Sequence, residues 1–261
     1  GNPFDHTRVM GVLQRIALGY CFASLMVLYL KPKPIFMLSV ILLLAYWVIL
    51  LLFGDTADPY NMMTNAGTKL DLWLLGQDHL YHGEGVPFDP EGVLSTMPAI
   101  VNVSFGYLAG KWIQQKGKEY EGLAKLLLAG ALLVALALGW DRFFPINKKL
   151  WTSSFVLLTV GIDCIILAAL IYVTDFLQKR NPKAVGWAYF FEVFGKNPLV
   201  IYLLSEVIAI LFWFFRVGEN YQPVYQWIFQ NIFRPAGMYF GSFLFAISIM
   251  LVCWLVGYFL D

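Results

Sequence analysis

The run Gly76-Gln77-Asp78-His79-Leu80-Tyr81-His82-Gly83-Glu84-Gly85 places a histidine beside a carboxylate. Such a pair can work as a general base near neutral pH, with Asp78 orienting the His79 ring while it takes a proton from an attacking amine or hydroxyl. A lone loop histidine of this kind also serves as a surface or structural residue. Shortly after it, Asp89-Pro90-Glu91-Gly92 leads into an apolar run. Acids there suit the positive end of a helix, which accounts for one of them and leaves Glu91 as the functional candidate. Upstream, Gly11-Val12-Leu13-Gln14-Arg15 puts an arginine inside an apolar segment. At membrane depth that costs at least about 2.5 kcal/mol unless the group is paired or hydrated, so Arg15, with Gln14 beside it, either binds an anionic or carbonyl group or closes a structural ion pair. The turn from Pro145 to Ser154 carries Lys148 and Trp151 ahead of a helix, fit to hold a phosphate or carboxylate at the helix start or to anchor at an interface.

Further along, Asn102 reads as a polar helix-packing contact. In Phe194-Gly195-Lys196-Asn197-Pro198, proline takes a first helical turn, Asn197 its cap and Lys196 an anchor. Asp163 and Glu206 are acids expected to be buried at hydrocarbon depth, as proton-relay or substrate groups or as hydrogen-bonded packing groups. Two histidines three residues apart, without a third ligand at motif spacing, give no metal site. Cys21, Cys164 and Cys253 all fall in apolar runs and read as packing residues.

The elements that must position these groups are membrane helices. Of 261 residues 59% are hydrophobic and 13% charged, and the mean hydropathy is +0.67. A water-soluble globule is excluded, because such domains carry about twice that share of charge. Apolar runs long enough to cross a bilayer recur throughout, which predicts an all-α polytopic bundle of about seven spans over residues 9–30, 34–53, 92–113, 122–140, 151–175, 197–216 and 237–260. These form one integral membrane domain, 1–261, with an ordered loop at 54–91 and an interfacial segment at 217–236, its helix covering Tyr221 to Phe233. Gly106-x-x-x-Gly110 and Gly237-x-x-x-Gly241 predict close helix contacts.

Ten basic residues fall on one side of this layout: Lys31, Lys33, Lys111, Lys116, Lys118, Lys125, Lys179, Arg180, Lys183 and Lys196. Eight fall on the other. Because the first set lies in short loops, the positive-inside rule makes that side cytoplasmic, with the C-terminus there and the 54–91 loop outside. A net charge of +1 leaves no nucleic-acid footprint. The chain opens on Gly1 and a polar stretch without a signal-peptide pattern, as a processed or truncated piece of a longer protein would.

Residue by residue, GVLQR at 11–15, LLGQDHLYHGEGVPFDPEGVLSTMPAIVN at 74–102, INKKLWTSSF at 146–155 and FGKNPLVIY at 194–202 resemble the heparan-alpha-glucosaminide N-acetyltransferase family, especially its bacterial NagX-type members. The resemblance implies a transmembrane acetyltransferase, in a bacterial inner membrane, that moves acetyl from cytoplasmic acetyl-CoA as co-substrate to the amine of a glucosamine-type sugar outside. The alternative, from another class, is an N-acetylglucosamine or related sugar transporter. Arg15 matches the family's GVLQR arginine, Asp78 and His79 its DHLY element, Asp89 and Glu91 its DPEG element, Lys148 and Trp151 its NKxLW turn, and Asn197 its helix start. The family's N-terminal helices, with the histidine assigned to acetyl handling, have no counterpart here, since His6 lies in a polar leader without that motif. The resemblance therefore implies a supporting role for His79 and an inactive chain if this sequence stands alone. Expected partners are the bilayer, an amino sugar or other small molecule, and a second copy in a homodimer.

Overall fold

The computed structural model describes residues 6–117, 119–177, 186–218 and 221–260, so Lys118, Lys179, Arg180 and Lys183 lie outside the described residues. The chain is an all-α polytopic bundle and divides into two compact units, Gly1–Asp175 and Phe176–Asp261.

The first unit holds α1 (Val12–Tyr29), α2 (Pro32–Phe53), α3 (Ala66–Leu74), α4 (Thr96–Lys116), α5 (Tyr120–Trp140) and α6 (Ser153–Ile171), the last continued by π-helical turns over Tyr172–Leu177. Each boundary has a local cause. Pro32 opens α2 where its missing N–H costs nothing. The Asn65 side chain accepts from Thr68 N and caps α3, and Thr152 accepts from Phe155 N and caps α6. Between α5 and α6, Gly130 and Gly161 face each other so closely that a Cβ on either would lie 2.7 Å from the other's carbonyl oxygen. Only small residues permit that approach, and without a hydrophobic force between helices in lipid such packing is what joins them. α1 and α4 run parallel: Arg15 meets Ser95, Gly19 packs on Ala99 and Val103, and Met26 receives the Ser104 hydroxyl.

At one end of this unit an aromatic cluster ties the connections down. The Phe144 ring stacks on Tyr60 at 5.1 Å and Trp47 meets Trp140 edge-on at 5.4 Å, while Tyr46 donates to the Leu150 carbonyl at 2.5 Å. Ser153 donates to the Leu43 carbonyl at 2.8 Å beside them. The 54–95 segment and the 141–152 turn are thereby held on the bundle end that carries the start of α1.

The second unit comprises α7 (Ala188–Lys196), α8 (Pro198–Phe214), a two-stranded antiparallel ladder of β1 (Arg216–Val217) and β2 (Gln222–Pro223), α9 (Val224–Ile228) running through π and 3-10 turns to Ala236, and α10 (Met238–Leu260). Trp254 Nε1 donates to the Phe190 carbonyl at 2.9 Å and Gly257 admits Ile201 and Val193.

Among the described residues, five helices are long and apolar enough to cross a membrane: α1, α2, α5, α6 with its extension, and α10. A sixth arises if α7 and α8, bent by 84° at their junction, form one broken span. These candidate spans fit the expected polytopic bundle; α4, 21 residues long, is too polar to count among them but runs beside α1 between the same two ends. The sixth expected span, 197–216, is the helix Pro198–Phe214, with proline in its first turn and Asn197 before it, although the Asn197 side chain makes no cap bond. Asp163 and Glu206, expected to be buried, lie on exposed faces of α6 and α8. The helical period explains Asp163, because the buried stripe of α6 runs through Val160, Gly161, Cys164 and Ala168 and leaves position 163 on the other side.

Candidate active site

The site lies at the start of α1, where three separate stretches of chain meet. Arg8, just before the helix, donates from Nε to Asp89 Oδ2 at 2.9 Å and from Nη2 to Asp89 Oδ1 and Glu91 Oε2, each at 2.6 Å. Its guanidinium lies 4.6 Å from the centroid of the Tyr81 ring. The Asp89 side chain is fully buried, and its Oδ1 also accepts from the Glu91 N–H at 3.0 Å. The hydrogen bond to Asp89 is the chief reason that Arg8 holds its proton even more tightly than usual. This fork replaces the helix-dipole role expected for one of the two acids: α4 begins only at Thr96, with no acid in its first turn.

One turn into α1, Arg15 is buried, with 6% of its surface exposed. Its Nη2 donates to the Pro90 carbonyl and, at 2.5 Å, to Ser95 Oγ, which in turn donates to the Gly92 carbonyl at 2.8 Å. The guanidinium lies 4.5 Å over the Trp151 ring. Among the described residues, nothing accepts from its Nε. Trp151 has a φ of 53°, a left-handed backbone that few non-glycine residues adopt and that bulky side chains seldom do. That conformation delivers its indole Nε1–H to Asn102 Oδ1 at 2.9 Å, and Asn102 reaches Thr159 Oγ1 at 3.4 Å. A cation, an indole and a carboxamide therefore form one polar line running from the bundle end into α4 and α6.

Beneath the acidic turn lies Asp71, on α3, only 2% exposed. Its Oδ1 accepts from the Val93 N–H at 2.9 Å, and its Oδ2 occupies the space over Gly92, where a Cβ would come within 2.0 Å of it. Burial raises the Asp71 carboxyl to about 6; the Val93 bond and Arg15 oppose the shift, whereas Asp89 adds to it. Asp71, Asp89, Tyr46, Ser95 and Lys149 border a cavity of about 10 Å³, about the least that admits a single water.

These turns are the stretches in which the motifs are densest. The chain is similar to heparan-alpha-glucosaminide N-acetyltransferases. It is 28% identical to the Homo sapiens enzyme of that name and 27% identical to the Mus musculus one, in each case over 86% of this chain and 39% of the relative. The chain thus spans about two fifths of the length of the curated relatives it matches. No family model matches it.

Against that similarity, His79 belongs to a 3-10 turn over Gln77–His79 that docks on the leader: its carbonyl accepts from the Val9 N–H at 3.2 Å, and its Nδ1 lies 2.8 Å from the Thr7 carbonyl. A carbonyl only accepts, so Nδ1 carries a proton in this contact. Asp78 does not orient this ring. Its side chain is 69% exposed and lies 3.9 Å from His6. Neighbours along a 3-10 turn point apart, which is why adjacency in sequence misleads here. Lys149 rather than Lys148 makes the ion pair of its turn, to Glu84 at 2.5 Å. Lys148 and Gln14 are exposed. Asn197 and Glu206 belong to the second unit. Sequence reasoning singled out none of Arg8, Ser95 and Asp71. Eighty-one residues separate Arg8 from Asp89, and no local spacing announces such a pair.

Proposed function

We propose that the chain is part or all of a transmembrane acetyltransferase that moves an acetyl group from cytoplasmic acetyl-CoA to the amine of a glucosamine-type sugar on the external side. The observation that carries this reading is the buried Arg15 with its unpaired Nε–H, stacked on Trp151 and joined to the 89–95 turn, in a chain similar to N-acetyltransferases of that specificity. A guanidinium held this way in a nearly dry layer binds an acyl carbonyl or a carboxylate strongly, because little water competes for it. An acceptor amine must be unprotonated when it attacks. His79, at the same end of the bundle, shapes the acceptor's pocket; once the free amine bonds to the thioester carbon, the carbon–sulfur bond breaks and the departing CoA thiolate takes the proton that the nitrogen sheds. Asp89 and Glu91 serve this layer by fixing Arg8, and Asn102 by fixing Trp151.

The lysines support the sidedness. Lys31, Lys33, Lys111, Lys116 and Lys125 lie at the opposite end of the first unit from Arg15, in short connections, where the positive-inside rule weighs them most, against Arg8, Lys69, Arg142, Lys148 and Lys149 at the Arg15 end. On this reading the 54–95 segment is external, the C-terminus is cytoplasmic, and the protein resides in a bacterial inner membrane, as a homodimer. The test is label transfer in the protein made from its complete gene: acetyl from labelled acetyl-CoA appears on glucosamine as an N-acetyl group. Uptake of unmodified sugar into vesicles, with no transfer of label, would instead establish the transporter reading.

A further inference from the structure

Between α4 and α5 the first unit does not close. Gly130 and Gly161 draw α5 onto α6, whereas the glycines of α4 expected to mark a helix contact mark none among the described residues: a Cβ at Gly106 or Gly110 would meet nothing within 4 Å. Ala109 of α4 and Ala129 of α5 border the gap, and both are too short to fill it. A cavity of about 320 Å³ results, walled also by Phe36 of α2 and floored by Val160 and Cys164 of α6, which are buried.

Two aromatic contacts give the cavity its shape. Phe36 stacks on Phe105 at 5.9 Å along one side, and the Trp112 indole is fixed at the lysine end by its Nε1–H, which donates to the Gly122 carbonyl at 3.0 Å. Phe36 and Ala129 at the margin are exposed, so the cavity opens toward the bilayer. From Lys125 to Leu133 α5 rises about 12 Å, which stays within one leaflet of a hydrocarbon layer about 30 Å thick. Among the described residues the lining is apolar except for Lys125, at the end where α5 starts. Its ammonium pairs with Glu121 at 2.5 Å and keeps two further N–H groups to donate. Lys33 lies three residues before Phe36, on the same face of α2. This end of the first unit carries Lys31, Lys33, Lys111, Lys116 and Lys125 against Glu119, Glu121 and Asp175, so positive charge is in surplus even with Glu119 3.2 Å from Lys116. An occupant therefore needs a thin apolar body and an anionic head.

We propose that this cavity holds one acyl chain of an anionic phospholipid from the leaflet on the lysine side, with the lipid phosphate at Lys125 and Lys33. The chain removes the apolar walls from contact with anything but hydrocarbon, and the phosphate answers the surplus of lysine, as basic pockets between membrane helices do for acidic headgroups. A covering helix would cross both leaflets, whereas the cavity is confined to one. None of these residues belongs to the candidate active site, so the lipid site stands independently of the acetyltransferase reading.

The experiment places the intact chain in bilayers of equal parts phosphatidylglycerol and phosphatidylcholine, with bromine on the acyl chains of one lipid or of the other. Bromine quenches indole fluorescence on contact, and the share belonging to Trp112 is the difference between the parent and Trp112→Phe. Brominated phosphatidylglycerol should quench that share more than brominated phosphatidylcholine does, with a preference of about fivefold for each lysine engaged, so Lys125→Gln should lower the preference about fivefold. Ala129→Phe, which fills the cavity, should remove the preference altogether. Native mass spectrometry in detergent gives a second readout that does not depend on Trp112: the parent should retain one phosphatidylglycerol, and Ala129→Phe none. Equal quenching by the two lipids means an ordinary lipid-facing surface, and no quenching by either means a protein cover. Each of those results would overturn the proposal, as would phosphatidylglycerol retained undiminished by Ala129→Phe.

Discussion

Arg8 and Asp89 form the pair on which the site's geometry depends. Asp89 is fully buried and Arg8 is its chief counter-charge, so Arg8→Gln strands a carboxylate away from water. Breaking such a pair costs about 3 kcal/mol, and the double variant Arg8→Gln/Asp89→Asn should recover at least half of that, as unfolding midpoints in detergent will show. Asp71 gives a pH signature. Its carboxyl rises from 3.8 to about 6, so the folded state binds its proton more tightly than the unfolded chain does. The resulting stability is fully present below about pH 4 and is lost as pH rises through about 6; two pH units correspond to about 3 kcal/mol. Asp71→Asn should therefore be more stable than the parent at pH 8, with the difference shrinking toward pH 4; a parallel pH dependence in both proteins would contradict the burial argument. His79 takes a supporting part. In the protein made from its complete gene, His79→Ala should raise the acceptor KM more than it lowers kcat, the pattern of lost ground-state binding.

At the scale of elements, the α5–α6 contact depends on two glycines. Gly130→Leu places a side chain where even a Cβ would come within 2.7 Å of the Gly161 carbonyl oxygen, whereas Gly139, on the same helix, has open space around it. The first substitution should cost about 1–3 kcal/mol or more, and Gly139→Ala should be close to neutral, both read as thermal unfolding in detergent. Helices of this kind are plain in a sequence because apolar length alone specifies them, which is why α1, α2, α5 and α10 fall where the hydropathy places them. What sequence hides is angle and face. Proline at 198 reveals that a helix starts there, since a residue before proline is steered out of the helical region, but not the helix Ala188–Lys196 that precedes it or the 84° between the two. Asp163 and Glu206 show the same limit, because their depth along the chain is legible and the direction in which they point is not. Arg15 and Trp151 stand out by type and position, yet the stacking of one on the other spans well over a hundred residues and is set only by how α1 and α6 pack.

At the scale of the molecule, the first unit has two chemically distinct ends. One carries Arg8, Arg15, Asp71, Asp89 and His79 under folded turns; the other gathers lysines around the starts of α2 and α5 and the end of α4. The account makes these the acceptor and donor sides of one membrane. A cysteine at Lys69, placed beside the Phe53 carbonyl on the first end, should react with impermeant reagents only from outside the cell. Labelling from the cytoplasm alone would invert the topology and exchange the two sides.

Sidedness of the reaction is the most direct test. In sealed proteoliposomes of the protein made from its complete gene, oriented with the lysine end outward, labelled acetyl-CoA is supplied only outside and glucosamine only within the lumen. The account predicts labelled N-acetylglucosamine in the lumen, with free CoA released outside. Product formed only when both substrates share one compartment, or sugar crossing the membrane unmodified, would contradict it.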